Sequence, residues 1–128
     1  MNSQQQYDRI FSVELFPPRT EAGFEKLQQN VRELQSVAPA FFSVTYGAGG
    51  STRERTFQTV DWLKSEGIVT APHISCIGSG REEISAMLER YMAQGIDRLV
   101  ALRGDLPSGS GLGELDELRY ANELVAYI

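Results

Sequence analysis

The sequence predicts an α/β chain built around a parallel sheet, and three observations predict it. Short apolar runs alternate with segments of helical period, the order is β-α-β-α-β-α-β-α, and glycine or proline punctuates most boundaries. No close repeat, linker or low-complexity tract interrupts that alternation.

The first run, Ile10 to Phe16, stops at Pro17-Pro18, which cannot continue a sheet ladder. Phe24, Leu27, Val31 and Leu34 then recur at helical spacing, predicting an amphipathic helix from about Ala22 to Ser36, broken by Pro39. Phe41 to Tyr46 reads as the second strand and runs into Gly47-Ala48-Gly49-Gly50. Ser51 or Thr52 is placed to cap the next helix, with Glu54 in its first turn and Gly67 at its end. Ile68 to Ile74 is the third strand, weakened by Pro72, which has no N–H for the ladder. Ser79 precedes a helix carrying Ile84, Met87, Leu88, Tyr91 and Met92 on one stripe, with Gly95 as its C′ residue. Arg98 to Leu102 is the fourth strand. A Gly-, Pro- and Ser-rich stretch follows from Gly104 to Gly113, and Leu118, Ala121, Leu124, Val125 and Ile128 mark a last helix.

Two architectures share this order: a doubly wound open sheet and half of a (β/α)₈ barrel. Dinucleotide-binding open sheets carry G-x-G-x-x-G after the first strand, where this chain has Phe16-Pro17-Pro18. The glycines at 109, 111 and 113 follow the fourth strand with the wrong spacing. The half barrel is the better fit, with residues 1–9 as a polar tail and 10–128 as the barrel half.

Composition narrows the function classes. With 128 residues, 41% hydrophobic and 23% charged, the chain has the balance of an ordinary soluble domain. Its net charge of -5 is spread without a basic patch, which argues against a nucleic-acid partner. The single cysteine, Cys76, allows no internal disulfide and no thiolate metal site, and reads as buried and inert. No apolar run is long enough for a membrane span, and Met1 to Asp8 is too polar for a signal peptide. The expected location is the cytoplasm.

Strand parity selects the candidate site. Phe11, Val13 and Leu15 share one face, suited to covering helices, while Ile10, Ser12, Glu14 and Phe16 share the other. Glu14, Thr45, His73 and Asp105 lie at or just past the ends of four successive strands, the end at which barrel active sites are built. Partial burial of Glu14 would raise its pKa toward the range of a general acid. Each residue also admits a plainer reading. Glu14 fits a solvated strand-end carboxylate, His73 a packed structural histidine, Thr45 simple β propensity, and Asp105 a turn before Pro107. Arg103 fits a partner for an acid, and Glu82, Glu83, Glu89 and Arg90 fit solvated helix faces. These residues alone reach as far as a small-molecule site on a β/α barrel.

Four strings reach further. Phe11-Ser12-Val13-Glu14-Leu15-Phe16-Pro17-Pro18, Ser43-Val44-Thr45-Tyr46-Gly47-Ala48-Gly49-Gly50-Ser51, Ala71-Pro72-His73-Ile74-Ser75-Cys76-Ile77 and Val100-Ala101-Leu102-Arg103-Gly104-Asp105-Leu106-Pro107 resemble, in order, the first four strand segments of the methylenetetrahydrofolate reductase family. The resemblance implies a (β/α)₈ barrel holding FAD at its strand ends. Such enzymes pass hydride from NADH or NADPH through the flavin to 5,10-methylenetetrahydrofolate, giving 5-methyltetrahydrofolate. By the same resemblance Glu14 is the proton donor and Asp105 the charge that faces flavin and substrate, both in contact with the folate. Thr45, Tyr46, Ala48, His73, Arg103, Gly104 and Asp105 match flavin contacts, and Tyr120 and Ala121 match a further pair after a loop of variable length. No metal is implied, and the complete enzyme is expected to be a homo-oligomer.

Such a barrel needs eight strands in about 250 residues, and this chain supplies four, reaching Ile128 where a fifth would begin. The sequence therefore leads us to expect a partial barrel that, alone, binds FAD weakly or not at all and lacks reductase activity.

Overall fold

The computed structural model of the chain describes residues 9–47, 50–105 and 118–128. The elements run β1 (Val13–Leu15), α1 (Glu21–Leu34), β2 (Phe42–Val44), α2 (Gly50–Ser65), β3 (Thr70–Ser75), α3 (Arg81–Ala93), β4 (Val100–Leu102) and α4 (Ala121–Tyr127). All strand pairs are parallel, and the spatial order β1-β2-β3-β4 equals the order along the chain. This is the α/β architecture of the first half of a (β/α)₈ barrel.

Right-handed crossovers between successive neighbouring strands place every connecting helix on the same face. The core follows from that geometry. Leu15, Phe42, Val44 and Ile74 from the strands meet Val31, Phe57, Val60, Leu63, Ile84, Met87, Tyr91 and Leu124 from the helices. Each large aliphatic or aromatic side chain so buried contributes about 1.5–3 kcal/mol. The opposite parity set, containing Glu14, Ser43, Thr45, Ala71 and His73, lies on the face that carries no helix.

α1 begins where Thr20 Oγ1 accepts the Gly23 N–H at 3.1 Å, a side-chain cap on an otherwise unpaired donor. Of its predicted stripe, Val31 is buried while Phe24, Leu27 and Leu34 are half-covered. The stripe is thinly covered because β1 is an edge strand. The helix tightens into a 3₁₀ turn, Gln35–Val37, and ends at Ala38 in the left-handed region with φ 52°. Pro39 lies beyond this stop.

Several expected boundaries shift. The strands are shorter than their apolar runs, because pairing begins only at Val13↔Phe42 and reaches only Leu15↔Val44 between β1 and β2. α2 starts at Gly50, so Ser51 and Thr52 lie inside its first turn rather than at its cap. Gly80, not Ser79, occupies the N-cap of α3, and the Ser79 hydroxyl is engaged elsewhere. Gly95 behaves as expected, with φ +70° just past the C-cap Gln94.

Pro72 does not weaken β3, which is the longest strand and buried throughout. Cys76 N–H reaches Leu102 O on the β4 side at 3.1 Å. Alternate residues of a parallel strand bond to opposite neighbours, so the N of Pro72 also faces β4. Pairing there starts at His73↔Val100, and the missing donor falls just outside the ladder.

Candidate functional site

The site is assembled at the C-terminal ends of the strands, on the face without helices. Glu14 aligns with Ser43 and Ala71 across β1, β2 and β3. His73 lies two residues beyond Ala71 on the same face, and its Nε2 comes within 3.4 Å of Glu14 Oε2. Two residues chosen by parity on different strands are thus brought into contact. They differ in environment: the His73 side chain is 8% exposed and that of Glu14 49%. The expected burial of Glu14 is not found: its side chain stays half-exposed on β1, which is the sheet edge. Burial pushes the His73 imidazole below its ordinary pKa, and the Glu14 carboxylate partly opposes that shift.

The turn leaving β2 is held from beneath. Thr45 N–H donates to Leu15 O at 2.9 Å, continuing the ladder past the strand. The buried Thr56 hydroxyl accepts the Gly47 N–H at 3.3 Å and donates to the carbonyl of Thr45 at 3.1 Å or of Thr52 at 3.3 Å. Gly47 is required here: a Cβ would sit 2.5 Å from the Thr52 backbone. Tyr46 reaches across to the next loop, its hydroxyl 3.0 Å from Ser79 Oγ. Ala48 lies outside the described residues.

The end of β4 is fixed through one carbonyl. Arg103 O accepts from Ile77 N–H at 2.8 Å, Ser75 Oγ at 3.0 Å and Cys76 Sγ at 3.3 Å. The chain then turns at Gly104, whose φ is +83° and whose Cβ, if present, would lie 2.1 Å from Ser75 Oγ. Asp105 follows, exposed, with no ion-pair partner among the described residues. The Arg103 guanidinium turns back to its neighbour's carbonyl, Nε donating to Gly104 O at 3.3 Å, and it pairs with no acid among the described residues. Tyr120 is the exposed N-cap residue of α4, and Ala121 its first residue. The Glu123 carboxylate organises that start by accepting the N–H groups of Arg119 and Tyr120 at 2.6 and 3.4 Å. Thus Glu14 and His73 touch, Thr45 shares their face, and Arg103, Gly104 and Asp105 border it at the next strand.

A cleft of about 170 Å³ opens beside this face, between Phe16-Pro17-Pro18 and Thr45-Tyr46-Gly47. A larger apolar groove of about 360 Å³ lies between α3, β4 and α4, lined by residues such as Leu88, Met92 and Val125. That groove belongs to the helix-covered side, and its charged residues Asp97 and Arg98 pair with each other. Of the candidate site residues, Thr45 and Tyr46 line the smaller opening. Among the described residues, no cluster of His, Cys, Asp and Glu could hold a metal ion. Nor is any described helix long and apolar enough to cross a membrane.

A profile of the family described as methylenetetrahydrofolate reductase matches residues 1–128. The chain belongs to the methylenetetrahydrofolate reductase family. It is 42% identical over 118 residues to 5,10-methylenetetrahydrofolate reductase of Salmonella typhimurium, covering 91% of this chain and 38% of that protein. The Escherichia coli 5,10-methylenetetrahydrofolate reductase is 41% identical over the same shares. Methylenetetrahydrofolate reductase (NADH) 1 of Arabidopsis thaliana is 39% identical over 106 residues, which are 82% of this chain and 18% of that one. The chain therefore spans well under half the length of these relatives.

In this methylenetetrahydrofolate reductase family member, sequence reading had missed Ser75, Thr56, Ser79 and Arg53. Ser75 was legible in principle, since it shares strand and parity with His73. Arg53 sits in the first turn and Thr56 in the second turn of the helix after the glycine loop, where a side chain reaches back to the turn. Ser79 had been read only as a helix start. Glu83 and Arg90 are not merely solvated: Glu83 pairs with Arg53 at 3.6 Å, and Arg90 lies over the Phe57 ring at 3.7 Å.

Proposed function

We propose that this chain supplies the first half of the flavin and folate site of a methylenetetrahydrofolate reductase. The reaction would be reduction of 5,10-methylenetetrahydrofolate to 5-methyltetrahydrofolate with NADH or NADPH as donor. The observation that carries the reading is the approach of Glu14 to His73 on the open strand-end face, in a chain of this family.

The residues present fit a flat, polar flavin. The face between β1 and β4 carries none of the described helices, and the short polar side chains of Ser43, Thr45 and Ser75 lie along it, with Gly104 turning the chain beside Ser75. Thr45, Tyr46, Ala48, His73, Arg103, Gly104, Asp105, Tyr120 and Ala121 would hold FAD. When bound, FAD would supply two-electron chemistry, taking hydride from the nicotinamide and giving it to the folate.

The chain's own residues would do the rest. Glu14, half-exposed toward the face, is placed to give a proton to a folate nitrogen and so help open the five-membered ring. Neutral His73 would hold the Glu14 carboxyl in place as an uncharged neighbour. The exposed carboxylate of Asp105 would stabilise the cation that ring opening creates. The complete reaction needs the remainder of a barrel, and a cytoplasmic homo-oligomer suits that role.

A chimera carrying this chain in place of the matching segment of the Escherichia coli relative tests the proposal. It is expected to retain FAD and to oxidise NAD(P)H with methylenetetrahydrofolate as acceptor. Glu14→Gln should lower folate turnover about 10²–10⁴-fold while flavin is retained. A folded chimera without flavin would overturn the reading, and full folate turnover in Glu14→Gln would remove Glu14 from its role.

A further inference from the structure

Arg53 lies in the first turn of α2, with its side chain folded inward to 24% exposure. Its guanidinium carbon is 5.7 Å from the centre of the Tyr46 ring. One terminal nitrogen is 3.5 Å from Ser79 Oγ and the other 3.6 Å from the Glu83 carboxylate. Ser79, 1% exposed, in turn meets the Tyr46 hydroxyl at 3.0 Å. Arg53 Nε is buried and has no hydrogen-bond partner among the described residues. An arginine needed only for solubility would rotate that nitrogen into water. Here the planar group is kept where it covers a ring and reaches two polar atoms at once, which a lysine ammonium cannot do.

We propose that Arg53 is a positioning residue for Tyr46. It fixes the ring from its face while Ser79 fixes the hydroxyl, so the phenol is held at both ends. Because Tyr46 follows β2 and Ser79 follows β3, the same contacts set the distance between the two loops that border Thr45 and His73. Glu83, reaching from α3, holds the guanidinium on its far side. The proposal rests on the reading that Tyr46 borders the flavin, and Arg53 itself is assigned no ligand contact.

The test uses the whole 128-residue chain with ¹³C-labelled tyrosines, the Tyr46 signals being assigned by their loss in Tyr46→Phe. Arg53→Gln and Arg53→Lys, each checked for native circular dichroism, should shift the Tyr46 ring signals and speed exchange between its ring edges. Tyr91 and Tyr127 should stay in place, and Glu83→Gln should give a smaller shift of Tyr46. Arg53→Lys keeps charge and stem, so it decides the matter even where Arg53→Gln fails to fold. Unmoved Tyr46 signals in folded Arg53→Lys overturn the proposal. In a parallel FAD titration of the chimera with the Escherichia coli relative, Arg53→Lys should weaken binding about tenfold, and that loss should disappear in a Tyr46→Leu background. A loss that persists undiminished there means that Arg53 meets the ligand directly, which also overturns the proposal. A folded chimera without these substitutions that leaves FAD unperturbed counts against the flavin reading of this chain, and the tyrosine signals then decide the role of Arg53 alone.

Discussion

His73 is the only histidine, so its titration can be followed without ambiguity. Its folded-state pKa is depressed below 6.5, mainly by burial. Above 6.5 both folded and unfolded chains carry it neutral and it adds no pH dependence. Below that pH the unfolded chain takes up a proton that the folded chain refuses, so stability falls as pH drops toward the folded pKa. NMR titration of the imidazole should therefore give an apparent pKa under 6.5, and Glu14→Gln, by removing the opposing charge, should lower it further. An unchanged value in Glu14→Gln would mean that the 3.4 Å approach is not an electrostatic contact in solution. Gly104 makes a second prediction at this scale. Gly104→Ala places a Cβ in a left-handed backbone and against Ser75 Oγ, and should cost about 1–3 kcal/mol in urea unfolding. Pairing it with Ser75→Gly should recover the clash but not the backbone strain. The polarity and parity of Glu14, Thr45 and His73 were readable in the string of residues. The Glu14–His73 contact was not, because it depends on a two-strand offset that only register defines.

At the scale of elements, the described part of the β2–α2 turn is held by the buried Thr56 hydroxyl. Thr56→Val keeps the shape but leaves the Gly47 N–H and the Thr45 carbonyl short of a partner, and should cost about 1–3 kcal/mol, read as a lower thermal midpoint. Loss of less than the error of the melt would show that water replaces the hydroxyl. The alternation of strand and helix was legible because each apolar stripe and each glycine stop was present in the sequence. Caps and strand ends were less so. Ser51 and Thr52 are good capping residues, yet the helix starts ahead of them, since Gly47 packs against Thr52 and the turn closes early. Pro72 looked like a defect because a sequence gives a missing donor but not the neighbour it would have faced.

On the scale of the molecule, the inner face decides behaviour. Phe16 is 70% exposed and Leu102 38%, each on the side that none of the described helices covers. An isolated chain should bind a hydrophobic dye such as ANS and elute from gel filtration as dimer or larger at high concentration. A strictly monomeric, dye-silent protein would show that this face is closed by the chain itself. The fold class and family were legible from patterns and four strings, while the exposure of Glu14 was not, being a property of what lies beside β1. The matching of spatial to chain order has a consequence for synthesis. Each strand pairs with one that left the ribosome about thirty residues earlier, an interval of roughly 1.5–6 seconds at cellular elongation rates. The nascent polypeptide can therefore lay down its sheet one rung at a time, in the order of translation. Until β4 is in place, the growing edge of the sheet is the one that the next strand of this chain will pair.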